Sequence, residues 1–220
     1  MKRMLMSLKF HGADPPASSP SRLAGAGRLV LHLQGDPFRA LVEEYIREVY
    51  AHRYGALVPA FAPMLLTLQH GEDVLAAAGY RHAQAGPLFL EAYLDEPVET
   101  LISAHTGHVV SREGIVEVGH LATNHGGEGR RLIQMLGPYL AAQGCQWVVG
   151  TVTKELRALL IRLRVAPLTL GPADPAALGG EARYWGTYYE HEPVVLAIDL
   201  RRALRQYLAR HARAAAGERW

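Results

Sequence analysis

The sequence predicts an α/β or α+β domain built on one central mixed β-sheet. The first half carries the pattern of an antiparallel β-hairpin, and the middle alternates strand, helix and strand in the manner of a βαβ unit. A late strand then leads into an amphipathic helix near the C-terminus. The chain has 220 residues, 49% of them hydrophobic, which is enough for one well-buried core.

The chain opens with a segment whose composition is typical of a tail. Residues 11–28 are rich in Pro, Ser, Gly and Ala and cannot build a core, so residues 1–28 are expected to form a flexible tail. An apolar run at 29–33 predicts the first strand. Asp36 and Pro37 have the chemistry of a helix N-cap and first turn, and the apolar spacing that follows predicts a helix over 37–54.

Two apolar runs, 63–69 and 74–82, predict the next strands, and the polar turn residues between them predict a hairpin. The run at 89–94 is short and matches neither a helix nor a strand pattern. Residues 97–104 begin with a proline and predict a short helix.

The centre of the chain predicts a strand at 115–123 and a helix at 128–142, which ends near Gly144. A buried strand at 146–153 and a helix at 154–164 follow. This succession is the βαβ part of the predicted sheet.

The last third predicts a short strand at 168–170, a Gly/Pro-rich loop at 171–180 and a late strand at 194–198. Asp199 is placed to cap a final helix over about 200–215. The chain thus divides into a flexible tail (1–28), a folded domain (29–199), and a C-terminal helix with its tail (200–220).

Charge and cysteine content exclude several classes of protein. The net charge of +2 gives no strong positive field for a nucleic acid. Cys145 is the only cysteine, so no disulfide forms within the chain, which favours a reducing cytoplasm. No run of about 18 apolar residues is present, so no transmembrane helix is expected.

The stretch 114–133, GIVEVGHLATNHGGEGRRLI, is the most informative part of the chain. It joins a strand to a helix through a glycine-rich turn, which directs several backbone N–H groups and a helix N-terminus at one anion. The stretch lacks the lysine of a P-loop, and its spacing and place after a hairpin differ from a Rossmann fingerprint. These residues alone leave two readings open: a tight turn only, or a site for a phosphorylated acyl-carrier cofactor.

The order of elements around this turn resembles the GNAT acyltransferase fold, whose turn carries Q/R-x-x-G-x-G/A. The matching residues are Asn124, Gly127 and Gly129, with Asn124 where glutamine or arginine is usual. Over about residues 29–200, the runs REGIVEVGHLA, LAAQGCQWVVGTVTKELRALLIRL and ARYWGTYYEHEPVVLAIDL are similar to the thermostable hemolysin family. That family resembles GNAT enzymes and, more distantly, acyl-homoserine-lactone synthases; its name refers to cell lysis and not to a reaction.

The resemblance implies an acyltransferase that moves an acyl group directly from acyl-CoA or acyl carrier protein to an amine or hydroxyl of a small-molecule acceptor. The pantetheine would lie beside the strand at 116–123 like an added strand, with its phosphates on the turn at 124–131. The implied donor-binding residues are Leu121, Ala122, Thr123, Asn124, Gly126, Gly127, Gly129, Arg130 and Arg131.

Four side chains are candidates for proton transfer. Glu117 lies within an apolar strand and could be a general base with a raised pKa, or it could be a solvated surface carboxylate. His120 could be the base or a structural histidine. In the aromatic run 184–192, Tyr188 or Tyr189 could protonate the leaving thiolate, as a tyrosine does in GNAT enzymes, or both could line a wall.

The acceptor is expected between variable loops at 85–110 and 171–193. The candidate substrate-binding residues are Phe89, Glu91, Trp147 and Trp185. No group of residues has the spacing of a metal site, so no metal is predicted.

The C-terminal helix combines an apolar side with many arginines. It could rest on an anionic membrane, dock an acidic acyl carrier protein, or pack with its basic face in solvent. Two other functions stay open at this point: a membrane-active, hemolysin-like protein and a non-catalytic GNAT-like binding domain. The sequence leaves a monomer and a homodimer equally open.

Overall fold

A computed structural model of the chain describes residues 27–124 and 126–217. The tail predicted at 1–28 therefore lies, except for its last two residues, outside the described residues. His125 in the glycine turn lies outside them as well.

Seven strands and five α-helices make up the described chain. The strands are β1 (Arg28–His32), β2 (Met64–His70), β3 (Asp73–His82), β4 (Ile115–Thr123), β5 (Trp147–Val152), β6 (Leu168–Pro172) and β7 (Val194–Asp199). The helices are α1 (Arg39–Tyr54), α2 (Val98–Thr106), α3 (Glu128–Ala142), α4 (Lys154–Arg162) and α5 (Leu200–Gly217). Short 3₁₀ segments that shape the site lie at Phe89–Tyr93, Pro175–Trp185 and Tyr188–His191.

The strands form one mixed sheet in the order β1-β2-β3-β4-β5-β7-β6. All neighbouring pairs are antiparallel except β4 and β5, which are parallel. The predicted fold class, a central mixed sheet flanked by helices, is confirmed. The bounds of β4 and α3 coincide with those predicted from the sequence.

Two predicted elements differ from the structure. α1 begins at Arg39 rather than at 37, because Asp36 Oδ1 accepts the N–H of Phe38 at 2.8 Å and holds the preceding residues in a turn. The loop predicted at 171–180 is largely a 3₁₀ segment, whose start is capped by the side chain of Asp174. In both places a polar side chain bonds to the backbone two residues on and changes where the helix begins.

Alternating side chains divide the core between the two faces of the sheet. On β2, Leu65 packs toward α1, whereas the next residue, Leu66, packs toward α3. The first face carries α1, α2 and the 3₁₀ segments; the second face carries α3, α4 and α5. α5 contacts α3 at Gly137, where a Cβ would lie 3.9 Å from methyl groups of Leu200 and Leu204.

β4 and β5 stay paired for only three residues. Their register joins Ile115–Glu117 to Trp147–Val149, and β4 then continues to Thr123 without β5 beside it. Where the strands part, Gly150 lies against the backbone of β4, and a Cβ there would be 2.6 Å from the carbonyl oxygen of Val118. The parted strands leave an opening in the middle of the sheet.

Replacing Gly150 with alanine is expected to destabilise the fold by about 1–3 kcal/mol, because the new methyl group would meet Val118 O in a rigid part of the sheet. Urea unfolding followed by circular dichroism measures this change. Gly180→Ala is the matched control, since a Cβ there meets nothing within 4 Å, and its effect should stay within about 0.5 kcal/mol. Equal losses in the two variants would contradict the close approach of β4 and β5.

Candidate functional site

One large cavity opens where β4 parts from β5, with a volume of about 420 Å³. Its lining residues come from both faces of the sheet, so the cavity passes through the opening between the two strands. This volume is in the range of small-molecule binding sites. We call its two halves the first-face arm and the second-face arm.

The second-face arm follows the free edge of β4 over residues 118–123. Apolar side chains of α3 and α4 form most of its other walls. Its other lining residues include Gly129, Leu132, Ile133, Thr151, Leu156, Leu159 and Arg162.

The first-face arm is lined mainly by aromatic rings from α1, the 3₁₀ segment at 89–93 and the segment at 184–191. These rings belong to Tyr50, Tyr54, Phe89, Tyr93, Trp185, Tyr188 and Tyr189. The charged residues that line the same arm are Arg53, Arg81, Glu117 and Glu181. The first-face arm therefore joins apolar surface to a few charged groups, as acceptor sites for small molecules commonly do.

A β-bulge in β4 lies between the two arms. Ala77 of β3 pairs with Ala122 of β4, and Gly79 pairs with Gly119, so β4 has one more residue than β3 between these two pairs. Within this bulge His120 has a left-handed φ of 51°. Its Nε2 donates a hydrogen bond to the carbonyl oxygen of Ala60 at 3.1 Å, whereas the buried Nδ1 has no hydrogen-bond partner in the described chain. Burial lowers the pKa of His120 to about 4, so the ring is neutral at pH 7.

Glu117 is buried, with only 8% of its surface exposed, which rules out a solvated surface carboxylate. Its Oε2 accepts the N–H of Phe89 at 3.0 Å, and its Oε1 accepts the N–H of Leu90 at 2.9 Å. The Nε of Arg81 lies 3.6 Å from Oε2. Burial raises the pKa of Glu117, and the two N–H donors and Arg81 oppose that rise. The carboxylate is thus held in a defined orientation against the first-face arm.

Residues 184–191, here called the aromatic strap, cover the first-face arm. Leu57 donates its N–H to the carbonyl oxygen of Tyr184 at 2.6 Å, and Thr187 donates its N–H to the carbonyl oxygen of Tyr54 at 2.8 Å. These bonds fasten the strap to the C-terminal end of α1.

The two tyrosines of the strap, either of which is a candidate acid or a wall residue, differ in their partners. The hydroxyl of Tyr188 donates to the carbonyl oxygen of Thr151 at 3.1 Å. The hydroxyl of Tyr189 shares a hydrogen bond of 2.6 Å with that of Tyr93. Burial raises the pKa of Tyr188 well above its usual value and raises that of Tyr189, so both hydroxyls keep their protons at neutral pH.

The glycine turn meets the end of the second-face arm. Gly127 is the N-cap of α3 and has a φ of 99°, a value that favours glycine. Gly129 packs on Thr123, whose methyl group would lie 3.0 Å from a Cβ there. The first N–H groups of an α-helix have no carbonyl partner within the helix, so the start of α3 is the place where an anion would be expected.

The predicted donor-binding residues divide between the cavity and the turn beyond it. Those that line the cavity are Leu121, Ala122, Thr123 and Gly129. Asn124, Gly126, Gly127, Arg130 and Arg131 do not line the cavity, but they are close in sequence to Thr123 and Gly129, which do. The structure therefore brings the two groups into one continuous stretch.

The predicted substrate-binding residues are only partly brought together. Phe89 and Trp185 both line the first-face arm, with ring centroids 5.7 Å apart. Trp147 is buried in the core beneath α2 instead. Glu91 forms an ion pair with Arg112, with Oε1 and Nη1 2.6 Å apart, outside the cavity. Substrate roles for Trp147 and Glu91 stay predictions that the geometry of the cavity does not support.

Sequence reasoning missed several residues of the first-face arm, notably Tyr50, Tyr54, Arg81 and Tyr93. Three of them carry no motif and reach the cavity only through tertiary packing. Arg81 had a usable signal: it is a charge in an apolar hairpin strand, and its register places it opposite Glu117.

Two features of other protein classes are missing from the described residues. Residues 27–124 and 126–217 contain no group of three or more His, Cys, Asp or Glu that could hold a metal ion. In the same part of the chain, no helix is both long and apolar enough to cross a membrane.

The fold is similar to those of solved acyl-homoserine lactone synthases and of an N-acyl amino acid synthase. BjaI, a CoA-dependent acyl-homoserine lactone synthase solved with SAM and isopentyl-CoA, superposes with a TM-score of 0.55 at 12% identity, covering 84% of this chain and 89% of BjaI. The AHL synthase LasI superposes with a TM-score of 0.53 at 16% identity, and the match covers 79% of this chain and 91% of LasI. FeeM, an N-acyl amino acid synthase from uncultured soil microbes, superposes with a TM-score of 0.53 at 15% identity. The match covers 80% of this chain and 93% of FeeM.

The family model for thermostable hemolysin matches residues 32–204. The chain therefore belongs to the thermostable hemolysin family, as the sequence resemblance predicted. No functionally curated protein shows significant sequence similarity to it.

Replacing Glu91 with glutamine is expected to cost about 1–2 kcal/mol of unfolding free energy at pH 7, after allowance for partial solvent contact. The hydrogen bond from Arg112 lowers the pKa of Glu91 to about 2, below its unfolded value. Its contribution is therefore present above pH 4.5 and is lost as pH falls toward 2. Urea unfolding of both proteins from pH 7 to pH 3 should show their difference shrinking, whereas Glu113→Gln, at an exposed site, should differ little throughout. A difference independent of pH would contradict the ion pair.

Proposed function

We propose that this protein is a GNAT-type acyltransferase. It moves an acyl group from the thioester of acyl-CoA or acyl carrier protein directly to an amine of a small-molecule acceptor, with a hydroxyl as the chemical alternative. The opening between β4 and β5 carries the proposal, because it leaves a free backbone edge at the junction of the two arms of one ligand-sized cavity. Similarity to solved acyl-homoserine lactone and N-acyl amino acid synthases supports the same reaction class.

The second-face arm suits the donor. The free edge of β4 at 118–123 offers N–H and C=O groups to the amides of pantetheine, as a sheet edge does to an added strand. Leu132, Ile133, Leu156 and Leu159 supply apolar walls beside it. Phosphates at the end of the pantetheine would then meet the N–H groups of the turn and the positive end of α3.

Glu117 suits the general base. As the acceptor nitrogen attacks the thioester carbon, a C–N bond forms, the C–S bond breaks, and the amine proton passes to the carboxylate. Burial makes this carboxylate more basic than an ordinary one, and the N–H groups of Phe89 and Leu90 orient it while each oxygen keeps a lone pair. His120 is a weaker candidate, because its pKa is about 4 and its free Nδ1 faces Gly79.

The remaining steps concern the oxyanion and the leaving thiolate. N–H groups of Leu121 and Ala122, just after the bulge, are candidates for stabilising the tetrahedral oxyanion. The thiolate needs a proton, for which Tyr189 is better suited than Tyr188. The hydroxyl proton of Tyr188 is committed to Thr151 O, whereas the Tyr189 hydroxyl pairs with another hydroxyl that can supply a replacement hydrogen bond.

Gly127→Ala should weaken binding of coenzyme A roughly five- to tenfold, because the left-handed backbone of the turn disfavours a side chain. Titration calorimetry with coenzyme A measures the dissociation constant. Gly180→Ala, outside the turn, is the matched control, since position 180 has neither a left-handed φ nor an atom within 4 Å of a Cβ. Unchanged binding in Gly127→Ala, or the same loss in Gly180→Ala, would remove the turn from the donor site.

Glu117→Gln should lower kcat/KM by about 100-fold or more, since an amide cannot take up the proton. The assay is release of free thiol from acyl-CoA in the presence of a panel of amines. In the wild-type protein, kcat/KM should fall as pH falls through the raised pKa of Glu117, because protonation removes the base. Glu44→Gln, on the exposed side of α1, is the control and should keep full activity.

Three outcomes would overturn parts of this proposal. Unchanged turnover in Glu117→Gln would remove Glu117 as the base. No thiol release from any donor, with intact thioester binding, would favour a binding domain without catalysis. Leakage of liposomes at nanomolar protein in the absence of thioester binding would favour membrane activity instead.

A further inference from the structure

The two faces of the sheet carry opposite charge. The segments that cover the first face (36–54, 89–113 and 173–192) contain thirteen acidic and five basic residues. The segments that cover the second face (128–164 and 199–210) contain three acidic and ten basic residues. The small net charge of +2 therefore conceals a strongly basic second face.

Basic side chains of the second face are open to solvent. Arg130 on α3, Arg162 and Arg164 at the end of α4, and Arg201 and Arg205 on α5 are all exposed. Within the part of the chain that the structure describes, none of these five has a carboxylate within 4 Å. Most arginines of the first face, in contrast, pair with its own carboxylates.

This basic surface begins at the glycine turn and extends far beyond it. Arg130 stands in the first turn of α3, beside the turn. Arg201 and Arg205 lie near the opposite end of α3, because α5 starts where the N–H of Leu200 donates to Gln146 O at 2.9 Å. The length of α3 places these two arginines roughly 15 Å or more from the turn.

A small donor does not account for charge over such a distance. Phosphates seated on the turn need positive charge at the turn, and the arginines of α5 lie outside that contact. A protein partner that covers about 800 Å², or about 30 Å across, would reach both places at once. Two exposed apolar residues within the surface, Ile161 at 60% and Leu208 at 64%, fit an interface that mixes apolar and charged contacts.

We propose that the second face is the docking surface of an acidic acyl carrier protein. The carrier would lie over α3, α4 and α5 and pass its acylated phosphopantetheine arm into the second-face arm of the cavity. Opposite charge would speed and orient this encounter. The inference rests on the acyltransferase function proposed above and adds the identity of the donor.

The binding test uses a bacterial holo acyl carrier protein whose phosphopantetheine carries an acyl chain through a thioether, so that no transfer occurs. Titration calorimetry at about 50 mM salt should show binding, and at about 500 mM salt the dissociation constant should rise at least about tenfold. The double variant Arg201→Glu/Arg205→Glu should raise it about tenfold or more at low salt. Arg183→Glu, an exposed arginine of the first-face loop, is the matched control and should bind normally.

A kinetic test separates docking from chemistry. In the double variant, KM for acyl carrier protein should rise about tenfold or more while kcat stays within about twofold. Kinetic constants with acyl-CoA should not change, because Arg201 and Arg205 lie away from the cavity.

Other results would overturn the inference. Turnover of acyl-CoA without binding of the carrier would refute the docking surface and leave the acyltransferase intact. Carrier binding without thiol release from any donor would refute the reaction and leave the docking surface. Vesicles rich in phosphatidylglycerol, or duplex DNA, bound more tightly than the carrier would assign the basic face to a lipid or a nucleic acid.

Discussion

The parting of two parallel strands is the constraint on which the rest of this molecule depends. β4 and β5 share three paired positions and then separate, and at that point their backbones approach so closely that only glycine fits at 150. The bulge at His120 turns β4 further from a regular course. A sheet that opened without cover would expose unpaired backbone in its centre, so helices on one face and the aromatic strap on the other enclose the opening and create the cavity.

Glu117 connects the point where β4 and β5 separate to the wall of the first-face arm. It is the last residue of β4 that pairs with β5, and its carboxylate holds the N–H groups of Phe89 and Leu90. The other end of the same wall is held by Arg112, which binds both oxygens of Glu91 and carbonyl oxygens of the preceding loop. One buried carboxylate thus ties the 3₁₀ segment to the sheet, and an ion pair outside the cavity keeps that segment in shape. The residue proposed as the general base is therefore also a structural anchor of the site.

The sequence predicted those parts of the molecule that local patterns determine. Alternating and helical spacing gave β4 and α3 their bounds, and the glycines between them indicated the turn, because such signals lie within a few residues of one another. The first-face arm could not be predicted in the same way. Tyr54 and Tyr93 line this arm although their elements are far apart in sequence. Trp147 and Trp185 are the same residue type, yet Trp147 faces the core because of its position on β5. Which face a strand residue occupies follows from register, and register is a property of the whole sheet.

The opposite charges of the segments on the two faces give the described part of the molecule an electric dipole directed across the sheet. Such a dipole exerts a torque in the field of any charged body before the surfaces touch. The molecule would therefore begin to rotate when it is about one Debye length from a charged partner, about 8 Å at physiological ionic strength, and would present the face of opposite charge to that partner. The second-face arm of the cavity lies on the face that would point toward a negatively charged partner, and the aromatic strap lies on the opposite face. A chain with a net charge of only +2 thus has a preferred orientation toward charged partners.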